Sequence, residues 1–78
     1  MDHDRDLDAI GLICPLPVLR ARKVLLAMAP GTVLRVQADD PVAVVDLPHF
    51  CAEAGHTLLA DEPAPQGRYF YIRRAKDA

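Results

Sequence analysis

Between Pro15 and Met28 the apolar positions recur with helical spacing. Val18, Ala21, Leu25 and Met28 share one face, and Arg20, Lys23 and Ala27 lie opposite. Pro30-Gly31 stops this helix. Ahead of it, Asp6 to Ile10 reads as a short strand that ends at Gly11. Behind it, Thr32 to Ala38 (TVLRVQA) is β-branched and roughly alternating, the pattern of a second strand. Asp39-Asp40-Pro41 opens a turn or short helical stretch, since Asp caps well and Pro suits the first helical position. Pro48 is expected to break any continuous helix from Pro41 to Ala54, leaving Asp46 or Leu47 to cap a second helix that ends at Gly55. Thr57 to Asp61 and Arg68 to Arg74 are the last two strands, joined by the Pro/Gly connection at 63–67.

The element order is therefore βαβαββ. Two helices cannot cover both faces of so small a four-stranded sheet, so both are expected on one face. That is an α/β (α+β) two-layer sandwich with a mixed sheet. The 78 residues read as a single domain with an ordered core of about 6–74 and frayed tails at 1–5 and 75–78.

Composition narrows the function classes. A formal charge of −2 is too near balance for a chain that binds nucleic acid directly, which needs a basic face. No apolar run is long enough to span a bilayer, and the opening MDHDRDLD is too acidic for a signal peptide. The expected location is cytoplasmic, where both cysteines, Cys14 and Cys51, would be thiols.

The chemically loaded stretch is Gly11-Leu12-Ile13-Cys14-Pro15-Leu16-Pro17, which sets a cysteine where a strand gives way to a helix. With Pro15 at the first helical position, Cys14 is expected at the N-cap. There the free amides and the positive helix end would favour its thiolate. Pro15 and Pro17 would stiffen the first turn without breaking it. The alternative is an inert thiol buried between strand and helix. No C-x-x-C, GxSxG, GxGxxG or P-loop is present.

The other candidates read as structural. Cys51 is expected in the core rather than as a resolving thiol. His49, Cys51 and His56 lack the spacing of a zinc pattern, so no metal is expected. His56 is read as a strand-entry residue whose place after a helix end favours the protonated ring. Arg22 falls on the flank of the apolar helix face, from which it would either snorkel outward or help hold the Cys14 anion. Arg73-Arg74 is expected to form a solvated strand end.

The motifs L-D-A-I-G-L-I-C-P-L-P-V-L (7–19), P-G (30–31), A-D-D-P (38–41), D-L-P-H-F-C (46–51), G-H (55–56) and Y-F-Y-I-R-R (69–74) together resemble the TusA (SirA-like) sulfur-carrier family. The resemblance runs from about Leu7 to Arg74 and implies a sulfurtransferase-type carrier that holds sulfane sulfur as a persulfide on Cys14, with no other cofactor. It also implies a cysteine desulfurase or rhodanese-like donor and a protein acceptor, serving tRNA thiolation, cofactor synthesis or sulfur oxidation. Leu16 stands where some members carry an acid. Leu16, Leu19, Arg20 and Lys23 then form an apolar and basic patch beside the sulfur, the expected partner-binding face of a monomer. A non-catalytic adaptor or regulatory module, or a Cys14-based redox sensor, is the alternative function.

Overall fold

The computed structural model describes residues 1–76. Its elements are β1 (Arg5–Ala9), α1 (Leu16–Leu26), β2 (Val33–Ala38), α2 (Ala43–Ala54), β3 (Thr57–Pro63) and β4 (Arg68–Arg73). The strands form one mixed sheet in the order β1-β2-β4-β3. β1 runs parallel to β2, while β4 is antiparallel to both β2 and β3. The expected βαβαββ sandwich is the observed fold.

Alternation along the strands decides which side is covered. Leu34, Val36 and Ala38 of β2 and Phe70 and Ile72 of β4 are buried. With Ala9 they form one core with Ala21, Leu25 and Met28 from the first helix region and Ala43, Leu47 and Cys51 from α2. The alternate positions carry polar and aromatic groups on the other face. Arg35 donates to Asp6 at 2.7 Å and lies 4.2 Å over the Tyr69 ring, and Tyr71 donates to Glu62 at 3.1 Å. These contacts let a face without helices bury Tyr71 and half-bury Tyr69 under polar partners.

Several boundaries depart from the expected ones. β1 begins a residue early, and the 1–5 segment is not wholly frayed. Asp4 donates its N–H to the Val33 carbonyl, and its carboxylate accepts from the Val33 N–H, each at 2.8 Å. At the other end, Ala75 donates its N–H to His56, while residues 77–78 lie outside the described residues. α2 is continuous through Pro48. Proline there forfeits only the bond to the Val44 carbonyl four residues back, and Val44 is itself exposed, so water can take that carbonyl. Gly55 closes α2 at φ 81°, a left-handed conformation suited to glycine.

Arg74 is not a solvated strand end. Its guanidinium donates through Nε to the Leu25 carbonyl at 2.7 Å, adding to the Met28 N–H that this carbonyl already accepts at 3.1 Å at the end of α1. His56 is likewise not a protonated cap. It is buried, its Nδ1 accepts the Ala75 N–H at 2.9 Å, and its ring lies 5.5 Å from that of Phe50. Burial first, and the nearby Arg74 charge second, lower its pKa from 6.5. An unfolded histidine binds a proton that this ring refuses, so stability declines as pH falls below 6.5 and levels off once the folded ring also protonates. A proton NMR titration should find the His56 midpoint below that of a free histidine. A His56 that titrates at the free value would contradict the buried acceptor role.

Candidate functional site

Ala9 pairs with Ala38 in the parallel β1–β2 register, so the segments leaving these two strands run side by side. The first is the loop that carries Cys14. The second is the acidic turn leading into α2, and it grips the first. Asp39 Oδ1 accepts the Gly11 N–H at 2.9 Å, and Asp40 Oδ2 accepts the Cys14 N–H at 2.7 Å. Asp40 uses its other oxygen to accept the Val42 N–H at 3.1 Å, closing the turn ahead of α2, whose own N-cap, Val42, makes no side-chain cap bond. A single aspartate thus ties the turn before α2 to the backbone of the sulfur-bearing residue.

Cys14 is exposed and lies two residues before α1, next to its N-cap. Pro15 is the N-cap, because its carbonyl accepts the first helical bond, from Leu19 N–H at 3.1 Å. The Cys14–Pro15 peptide is cis. The thiol donates to Asp46 Oδ2 at 2.9 Å, across the gap to α2. The expected thiolate-favouring N-cap is therefore corrected. The hydrogen bond to Asp46, slight desolvation and the charges of Asp46 and Asp40 all raise the Cys14 pKa above that of an ordinary thiol. The helix end is outweighed by a carboxylate at contact distance.

The two prolines have different duties. Pro15 is exposed, whereas Pro17 is buried on the core side of α1 with Ala21 and Leu25. Leu16 and Leu19 are 42% and 52% exposed, and Arg20 and Lys23 are exposed on the same helix, as expected of a contact face. Arg22 is exposed, in keeping with the outward course, one of the two expected of it. Ile13, at 69% exposed, and Val45, at 68%, are apolar side chains the sequence did not single out; each directly precedes a site residue, Cys14 or Asp46.

Asp46 was visible in the sequence only as a possible helix cap. Alongside it, Pro15, Val18, His49, Phe50 and Glu53 line a shallow groove of about 210 Å³ between the two helices. His49 Nε2 lies 3.0 Å from Glu53 Oε1 on its rim. Cys51 is 2% exposed, and burial pushes its thiol up to about 11, which makes it core and not nucleophile. His49, Cys51 and His56 have separate engagements: with Glu53, in the core and with Ala75.

Comparison with known proteins places this arrangement. Residues 5–74 match the family model described as Sulfurtransferase TusA. The chain is 43% identical over 74 residues to the sulfur carrier protein TusA of Allochromatium vinosum, covering 95% of this chain and 97% of that one. The crystal structure of a SirA-like protein from Desulfitobacterium hafniense superposes with a TM-score of 0.75 at 25% identity, over 90% of this chain and 95% of that one. With its fold, and with its Cys-Pro-Leu-Pro stretch inside the matched span, the chain belongs to the TusA family of sulfur carriers.

Proposed function

We propose that this single-domain chain carries sulfane sulfur as a persulfide on Cys14. It takes the sulfur from a cysteine desulfurase or rhodanese-like donor and relays it to an acceptor protein. The observation that carries the reading is an exposed thiol whose backbone is clamped by Asp40 while its sulfur stands clear of the core. In the transfer the Cys14 thiolate attacks the outer sulfur of the donor persulfide. The donor S–S bond breaks with its electron pair on the donor cysteine, and the proton Cys14 has shed ends there. No oxidant or reductant is consumed. Delivery repeats the exchange with an acceptor thiolate as the attacking group, in tRNA thiolation, cofactor synthesis or sulfur oxidation. No cofactor beyond the covalent sulfur is needed.

Incubation with a desulfurase and cysteine should add one sulfur atom to the intact mass, removable by a thiol reductant. A mass that stays unchanged with a competent desulfurase of this pathway class would overturn the reading.

Docking falls to the exposed stripe of Leu16, Leu19, Arg20 and Lys23 on α1, with the leucines supplying burial and the cations steering. Reversing Arg20 and Lys23 to Glu should slow sulfur transfer from the protein donor, most strongly at low salt. Alkylation by a small neutral reagent, compared at matched thiolate fraction, should barely change. Equal losses in both rates would mean that the stripe tunes the sulfur and recruits no partner.

A further inference from the structure

A sulfur nucleophile held beside a carboxylate runs against its chemistry, since the charge that must develop on sulfur is opposed. Asp46 Oδ2 is 2.9 Å from Cys14 Sγ, closer than any hydrogen bond of convenience at a solvated surface requires. Asp46 is half-buried on α2, and Cys14 accounts for its one side-chain hydrogen bond among the described residues. Its carboxylate borders the groove floored by Pro15, Val18 and Phe50. The other acid on that rim, Glu53, is already paired with His49. From the remaining element beside the sulfur, the β2–α2 turn, the charged group bearing on it is Asp40, which is occupied by two backbone amides. Asp46 is thus the carboxylate left to be answered from outside.

We propose that Asp46 is a positioning residue that keeps the proton on Cys14 in the free carrier, and that a cationic side chain of the docked sulfur donor, entering the groove beside Asp46, releases it. This rests on Cys14 being the sulfur-carrying thiol. In the free protein the S–H donates to the carboxylate, and the thiolate that oxidants and stray electrophiles attack is scarce. When a lysine or arginine pairs with Asp46, the repulsion is screened, and Cys14 gives its proton to water. The thiolate then attacks as described above, with the departing donor thiolate taking up a proton. The gate restricts sulfur loading to donors that bring a cation to this groove.

The test needs no sulfur donor, so it stands or fails apart from the carrier reading. Alkylation of Cys14 by iodoacetamide, located by mass spectrometry, is followed against pH in the wild type and in Asp46→Asn. The variant's profile should move to lower pH, with a several-fold faster rate at neutral pH. Glu62→Gln removes the same charge from the far face of the sheet and should leave the profile in place. A cationic disulfide, cystamine, is then compared with an anionic one, dithiodiglycolate. The wild type should prefer the cation, less so as salt is raised, and Asp46→Asn should lose most of that preference. Coincident pH profiles, or no cation preference in the wild type, would each overturn the proposal. The wild-type measurement keeps it falsifiable even if the variant misfolds.

Discussion

Cys14→Ser abolishes sulfur loading, whereas Cys51→Ala loads as the wild type does. The first effect is complete because a hydroxyl at this position is too weak an acid and too poor a nucleophile to attack a persulfide. The serine variant should fold normally, since Cys14 is exposed and the loop is held through its N–H, which serine retains. Circular dichroism of the variant should match the wild type, and its intact mass should stay unchanged after incubation with a desulfurase and cysteine. Cys51 sits in the core at 2% exposed, so its truncation costs packing, on the order of 1 kcal/mol for a small buried side chain, and leaves the chemistry intact. Sulfur found on Cys51 in the serine variant would defeat the assignment, and would also revive the two-cysteine redox reading.

The second large effect comes from a residue with no chemistry of its own. Gly67 closes the β3–β4 hairpin at φ 68°, and a Cβ there would stand 2.1 Å from the Ala38 carbonyl oxygen and 2.9 Å from Asp39 Cα. Both obstacles are backbone, so nothing flexible can yield. Gly67→Ala should cost roughly 2–5 kcal/mol, from the left-handed conformation plus the enforced backbone shift. In a domain of this size that lowers the melting temperature by roughly 10–30 °C. The displacement also reaches the sulfur, because Asp39 holds Gly11, and Gln66 beside the hairpin turn donates to Asp39 at 3.4 Å. At a temperature where the variant is still folded, its sulfur loading should be slower than the wild-type rate. A melting temperature within a few degrees of wild type would show that the hairpin moves aside freely.

Periodicity, with the Pro and Gly breaks, revealed the element order and the face that α1 buries, because Ala21 and Leu25 on α1 and Leu34 and Val36 on β2 follow their ideal spacings. Pro48 misled because sequence reasoning charges an internal proline for a lost hydrogen bond without knowing whether the orphaned carbonyl meets water. In α2 it does. Cys14 stood out at once by its neighbours Pro15 and Pro17. Its protonation was misjudged, since the decisive group, Asp46, lies 32 residues away. A usable signal was nevertheless there. The βαβ start implies parallel β1 and β2, and parallel neighbours release their chains at the same edge. The acidic run from Asp39 to Asp46 therefore had to sit beside the Gly11–Cys14 loop.

The strand order has a consequence for how the domain comes into being during synthesis. β4 is the last strand made, yet it lies between β2 and β3 in the sheet. Until Arg68–Arg73 leaves the ribosome, β2 lacks its antiparallel neighbour, β3 has no neighbour, and the part of the core wall formed by Phe70 and Ile72 is missing. Arg74 must arrive as well before its guanidinium can bond the Leu25 carbonyl at the end of α1. Cys14 is translated early, but the lattice that holds it is completed only with the final strand of the domain. The long-range β2–β4 pairing must therefore form before the sheet behind the sulfur-bearing loop is complete.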